Sequence, residues 1–131
     1  LTFSGKLFLA PIGDNPQNVL DVGTGTGIWA IDFADQFPSA QVIGFDLSPI
    51  QPEWVPPNLQ FEINDACSDW AYKKNSYDFI HVRAMYGSVA DWPEFYQRAL
   101  ELVATRAYCS DNDPFAYHST VILHLAGTYN K

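Results

Sequence analysis

Asn18-Val19-Leu20-Asp21-Val22-Gly23-Thr24-Gly25-Thr26-Gly27 runs without a break into Ile28-Trp29-Ala30-Ile31-Asp32-Phe33. An apolar stretch ends in a glycine-rich turn, and the turn opens a helix. That arrangement brings bare backbone N–H groups and a helix N-terminus close to a ligand. The spacing narrows the choice of ligand. A dinucleotide fingerprint, G-x-G-x-x-G, needs glycine at position 28, where Ile28 stands. A phosphate-cradling loop needs a lysine followed by serine or threonine, and none follows Gly27. The glycines fall at 23, 25 and 27, with the carboxylate of Asp21 two residues before the first.

Outward from this turn the chain reads as alternating strands and helices. Val19 to Val22 is a first buried strand. Ala30, Phe33, Ala34 and Phe37 recur at i, i+3, i+4, i+7, with Asp32, Asp35 and Gln36 opposite, which is an amphipathic helix stopped by Pro38. Gln41 to Phe45 is a second strand, ending at Asp46. A strand, a helix and a strand in about thirty residues make a βαβ unit with parallel strands. Ser48 to Pro57 carries four prolines in ten residues, which forbids a regular helix where a second crossover helix would run. Leu59, Phe61 and Ile63 alternate with Gln60, Glu62 and Asn64 in a third strand that ends at Asp65. Tyr77 to Val82 is a fourth. Asp91 caps a helix whose buried stripe is Trp92, Phe95, Ala99 and Leu102, with Glu94 three residues after the cap. After Val103 the signals weaken. His118 to Leu125 has strand-like composition and is expected to pair beside strand four as a surrogate fifth strand, covering the sheet edge.

Bulk composition bounds the function. The chain has 131 residues, 47% of them apolar and 15% aromatic, which suits one globular domain with a core. It is short for a complete nucleotide-binding α/β domain, and it reads as a fragment or a processed chain, since it begins with Leu1. A net charge of −8 argues against a sequence-independent grip on nucleic acid. No apolar run approaches a membrane span, and no signal segment is visible, so the expected setting is intracellular, cytoplasmic or nuclear. Cys67 and Cys109 read as free thiols in a reducing compartment, with no spacing that suggests a metal site.

The acid-x-Gly-x-Gly-x-Gly pattern after a strand resembles the first motif of class I methyltransferases that use S-adenosylmethionine. In open α/β sheets ligands bind beyond the carboxyl ends of the strands, and three strand ends here carry polar residues or glycines. With that ligand the roles follow. Gly23, Gly25 and Gly27, with Thr24 between them, let the ligand touch the backbone. Asp46, nineteen residues after Gly27, accepts from both ribose hydroxyls, and Leu47 packs on the adenine face. Asp65 accepts from the adenine amino group, and the Ala66 N–H donates to the ring. Asp21 orders the turn or meets the ligand's ammonium group. Arg83 contacts the methionine end or is an ordinary surface arginine. His81 reads as a core histidine and Tyr86 as an aromatic wall. No residue stands out as a catalytic base, because methyl transfer relies largely on positioning.

The resemblance extends further. Leu1 to Ile12, Val19 to Asp35, Asp46 to Leu59, Ser76 to Arg83, Gly87-Ser88 and Asp91-Trp92-Pro93 are similar to the fungal LaeA-like methyltransferases over roughly residues 1 to 100. The proline-rich replacement of the second crossover is the more specific part of the likeness. It implies an α/β, Rossmann-like fold with a mostly parallel sheet, incomplete at its C-terminal side. It also implies S-adenosylmethionine as methyl donor, with binding roles for Asp21, the three glycines, Asp46 and Asp65. Some members regulate fungal secondary metabolism with nuclear protein partners, so regulatory partners belong to the expectation, while the methyl acceptor stays unidentified. Family members follow the Asp-Trp-Pro helix with a Pro-Gly-Gly turn. Here residues 101–131 read as a divergent tail of a single domain spanning 1–131, as an altered reading frame or retained intron would supply. Two other readings stand beside this one. A nicotinamide-dependent oxidoreductase is disfavoured by Ile28. A non-catalytic remnant or interaction module is favoured by the missing turn, and with it weak or no cofactor binding and no turnover.

Overall fold

The computed structural model describes residues 6–8, 12–83, 85, 87–111 and 123–124. Strands β1 (Asn18–Val22), β2 (Gln41–Asp46), β3 (Leu59–Ile63) and β4 (Tyr77–Val82) follow the alternation read from the sequence, as do helices α1 (Ile28–Gln36) and α2 (Trp92–Leu102). Two further strands complete the sheet, β5 (Val103–Asp111) and β6 (Leu123–His124). Among the described residues the sheet order is β3-β2-β1-β4-β5-β6. β1 pairs in parallel with both β2 and β4, β3 with β2, and β5 with β4; β6 is antiparallel to β5.

The central strands are apolar on both sides, as a sheet covered on both faces requires. On one face Val19, Val42, Leu59 and Phe79 meet Trp29, Ala30, Phe33 and Ala34 of α1. On the other Leu20, Val22, Phe45, Ile80 and Val82 meet Phe95, Ala99 and Leu102 of α2. α2 starts where the sequence places its cap: Asp91 Oδ1 accepts the Glu94 N–H at 3.0 Å. The Glu94 carboxylate turns forward to Arg98, 2.8 Å away, so it supports the helix through an i,i+4 pair.

Two connections do without a helix. Between β2 and β3 the proline-rich segment crosses α1's side of the sheet, and Val55 packs into that face. Its last residue, Asn58, directs its carboxamide nitrogen at the carbonyls of Ala34, Phe37 and Ala40, at 3.0, 3.1 and 2.9 Å. Ala34 and Phe37 lie at the C-terminal end of α1, where a helix leaves acceptors without partners, and Ala40 ends the turn that follows. Between β3 and β4 the loop sends in Trp70 and Tyr72. Trp70 meets Phe45 at 5.6 Å and Phe95 edge-on at 5.2 Å and 86°. Aromatic rings thus fill volume that a crossover helix would otherwise occupy.

The edge beyond β4 corrects one expectation. The place beside β4 belongs to β5, which pairs Tyr77 with Val103 and, past an irregularity, Phe79 with Tyr108 through Val82 with Asp111. Leu123–His124 joins the sheet one strand further out, against Cys109 and Tyr108. Residues 118–122 and 125 of the expected surrogate strand lie outside the described residues. The reason is local. Val103 is already extended at φ −75° and ψ 130°, so the chain leaves α2 directly as a strand without a turn. Val103 and Thr105 are β-branched and Tyr108 is aromatic, residue types that suit a strand. Among the described residues no helix is long and apolar enough to cross a membrane, and no group of side chains could hold a metal ion.

Candidate cofactor-binding site

At the carboxyl ends of β1 to β4 lies a cavity of about 410 Å³. It is lined by the glycine turn, by Asp46 at the end of β2 and Leu47 after it, by Asn64, Asp65 and Ala66 after β3, and by His81 of β4 and Arg83 just past it. Every residue that the sequence singled out for the ligand lines it except Gly27, one position behind the wall. Tyr86 lies outside the described residues.

The turn is held by an inner ring of hydrogen bonds. The Thr24 N–H reaches the Phe45 carbonyl at 3.0 Å, and the Thr24 hydroxyl donates to Asp21 Oδ2 at 2.6 Å. Asp21 Oδ1 lies 2.7 Å from Nδ1 of His81. Strand register dictates this pairing, because Asp21 sits opposite His81 on β4 and opposite Gly44 on β2. A side chain on Gly44 would press on the Thr24 hydroxyl at 2.8 Å, so this glycine leaves room for the Asp21–Thr24 bond. Asp21 is 3% exposed, and both of its oxygens have partners within the protein. Of the two roles open to Asp21, ordering the turn is the one these contacts describe.

Glycine serves different needs along the turn. Gly25 has φ +58°, and a Cβ there would meet nothing within 4 Å, so its α-carbon opens onto the cavity. Gly27 has φ +82°, and a Cβ would run into the ring of Phe61 on β3. Gly27 also stands at the N-cap of α1, which therefore has no side-chain cap. A Cβ on Gly23 would strike the sulfur of Met85. Open space in place of a side chain is thus found at Gly25, while protein packing explains the other two.

Asp46 bridges the turn and the proline-rich segment. Its Oδ2 accepts the Gly25 N–H at 2.9 Å and its Oδ1 the Ser48 N–H at 3.0 Å. Each carboxylate oxygen can accept more than one hydrogen bond, so the group is oriented by these bonds and keeps acceptor capacity for hydroxyls. Leu47 is 64% exposed at the cavity rim, where an apolar side chain gains by covering a flat ring. Asp65 Oδ1 accepts the Cys67 N–H at 2.8 Å, which fixes the loop that carries buried Ala66.

Three residues of the site had weaker signals in the sequence. Gln51 donates through Nε2 to the Gly25 carbonyl at 2.6 Å and to the Ser48 carbonyl at 2.9 Å. Its signal was an amide side chain set between Pro49 and Pro52. Trp29 stacks flat on His81, with ring centroids 3.7 Å apart and planes within 3°, and its Nε1 donates to the Leu7 carbonyl at 2.8 Å. His81 is 1% exposed, as a core histidine should be, but its Nε2 has no hydrogen-bond partner among the described residues.

A mostly parallel sheet of this order, with a glycine turn after β1 and acids after β2 and β3, is that of Rossmann-like methyltransferases. The chain matches the methyltransferase domain family over residues 2–125 and belongs to it. It is similar to the methyltransferase pytC of Aspergillus terreus, at 48% identity over 94 residues, covering 71% of this chain and 29% of that protein. The secondary metabolism regulator LAE1 of Cochliobolus heterostrophus is 50% identical over 98 residues, covering 72% of this chain and 32% of that protein. The chain thus spans about a third of the length of the curated relatives it matches. Among solved structures it resembles a Listeria monocytogenes protein described as a putative S-adenosylmethionine dependent methyltransferase, with TM-score 0.66, 21% identity, 79% of this chain and 49% of that one. Haemonchus contortus phosphoethanolamine N-methyltransferase 2, in complex with S-adenosyl-L-methionine, matches with TM-score 0.64, 21% identity, 76% of this chain and 24% of that one.

Proposed function

We propose that the chain carries the cofactor-binding part of a methyltransferase linked to fungal secondary metabolism, with S-adenosylmethionine as methyl donor. One observation carries the reading: Gly25 has its N–H fixed by Asp46, its carbonyl fixed by Gln51, and open cavity where its side chain would be. A rigid, side-chain-free stretch of backbone beside an oriented carboxylate suits the ribose of a nucleoside. Asp46 receives the ribose hydroxyls, Leu47 covers the adenine, and Asp65 with Ala66 meets the adenine edge. When bound, S-adenosylmethionine supplies an electrophilic methyl group on a positively charged sulfur. The chain's own contribution is to orient the donor. The proposed setting is the cytoplasm or nucleus, and the relatives named as regulators favour protein partners there. Residues 1–131 act as one domain, in which β5 of the divergent tail extends the sheet beside β4.

Titration calorimetry with S-adenosylhomocysteine tests this. Saturable binding, with no comparable heat from a nicotinamide dinucleotide, is the expected result. Absence of binding by the folded chain, or equal binding of the dinucleotide, overturns it. A separate assay of methyl transfer distinguishes an active domain from a non-catalytic module that keeps the donor pocket.

A further inference from the structure

We infer that Gln51 is a positioning residue for the methyl donor: its amide fastens the glycine turn in the form the donor binds, and the proline-rich segment serves to hold that amide in place. The inference rests on the cofactor reading above. It gives a function to the segment that stands where a second crossover helix would run.

Gly25 and Ser48 are joined twice. Asp46 accepts the N–H of both, at 2.9 and 3.0 Å. Gln51 Nε2 donates to the carbonyl of both, at 2.6 and 2.9 Å. One side chain thus grips the two backbones by their donors, and the other grips them by their acceptors. A carboxamide nitrogen has two hydrogens, and the two carbonyls take them. Ser48 is three residues from Gln51, whereas Gly25 is 26 away. The first bond shapes the segment, and the second ties it to the turn.

The turn needs such a tie. Gly23, Gly25 and Gly27 all have positive φ, and no side chain of their own holds them there. A peptide plane carries its carbonyl and the following N–H in opposite directions. Fixing the Gly25 carbonyl therefore also fixes the direction of the Thr26 N–H. Thr26 lines the cavity and Gln51 does not, so the side chain acts on the ligand through the turn. A donor that meets the turn finds its backbone already ordered, which removes that ordering cost from binding.

Gln51 is held in its turn by the segment. Pro52 restricts the residue before it to extended backbone. Val55 and Asn58 anchor the far end against α1 and the turn after it. The amide is thus carried on a stiff strap fixed at both ends.

The test is titration calorimetry with S-adenosylhomocysteine on the intact chain. Gln51→Met keeps the side chain's length and loses its hydrogens. Gln51→Glu keeps the shape and sets an acceptor against two carbonyls. Gln51 is half-buried in a loop, so neither change cuts into the core. In Gln51→Met the Kd should rise about threefold to tenfold, the size of one hydrogen bond, and in Gln51→Glu further. Hydrogen exchange at Gly25 and Thr26 should quicken in Gln51→Met and slow again on saturation with ligand, while β1 and β4 exchange as in the parent. A variant that loses stability in urea, yet binds as the parent does when folded, makes Gln51 a structural residue alone and overturns the inference. So does unchanged exchange at Gly25 and Thr26, or a Gln51→Glu variant that binds as tightly as the parent. Where one variant fails to fold the other decides, and failure of both also assigns Gln51 to the structure alone. If the parent binds and the variants match it, the cofactor reading stands and this inference falls. If the parent does not bind, both fall.

Discussion

The carboxylate of Asp46 holds the backbone N–H of Gly25 at 2.9 Å, tying the end of one strand to the turn that follows another, 21 residues away in the chain. The same carboxylate starts the proline-rich segment by accepting from Ser48. Asp46→Ala therefore removes a proposed ligand contact and loosens both walls around it. The expected loss for S-adenosylhomocysteine is about 1.5–3 kcal/mol, roughly tenfold to a hundredfold in Kd. An unchanged affinity in a folded variant would rule out the role.

Gly25 and Gly27 should respond differently to the same substitution. Both have positive φ, which costs a residue with a Cβ about 1–2 kcal/mol. Gly25→Ala should cost little beyond that, because a Cβ there meets open space. Gly27→Ala must also displace the Phe61 ring and should be the more damaging by a further 1–3 kcal/mol, roughly the cost of overpacking. Urea unfolding of both, and of Gly27→Ala combined with Phe61→Leu, checks this. The second change should recover part of the loss at Gly27. Gly25→Val should abolish ligand binding while keeping helix content by circular dichroism.

Asn58 offers two amide hydrogens to three carbonyls of α1 and the turn after it. Asn58→Ala removes the whole arrangement. Water can reach part of this half-buried site and replace some bonds, so the expected cost is about 1–2 kcal/mol in unfolding free energy. Asn58→Asp supplies no amide donor and should be at least as harmful. A stability equal to the parent's would show that solvent satisfies these carbonyls as well as Asn58 does.

Alkaline pH should probe the second face of the sheet. Burial, foremost, pushes the Tyr72 phenol well above its ordinary value of 10.0, and its hydrogen bond to Glu62 adds to the shift. Burial raises Tyr77 as well, with the Glu62 charge contributing. The folded state thus holds these protons more tightly than the unfolded chain. Their contribution is fully present below pH 10 and is lost as pH rises above it through the folded values. Ultraviolet titration should show Tyr72 and Tyr77 ionising late, together with loss of structure. Tyr72→Phe should remove one late step.

The fold was legible where local pattern and tertiary need agree. The third strand and the Asp91 cap are set by neighbours a few residues away, and both form where read, but the apolar alternation of the strand fades along it, with Leu59 buried and Ile63 69% exposed. β5 was missed because it begins at Val103 directly after the last residue of α2, with no turn signal between them. The site was legible as a set of strand ends, which the βαβ pattern orders in space. The partners of those residues were not. Nothing near Gly27 in sequence announces that Phe61 fills the space above it, and nothing near Asp21 announces His81, 60 residues on. Those relationships come from strand register, which only the assembled sheet defines.

The direct join at Leu102–Val103 leaves no slack between α2 and β5, and both residues are 3% exposed. One inserted residue would rotate the helix by about 100° against its partner strand, or turn every side chain of β5 to the opposite face. Length at this point is therefore as constrained as composition. A gene encoding this chain can tolerate substitutions on either side of the joint more readily than a single added or deleted codon within it.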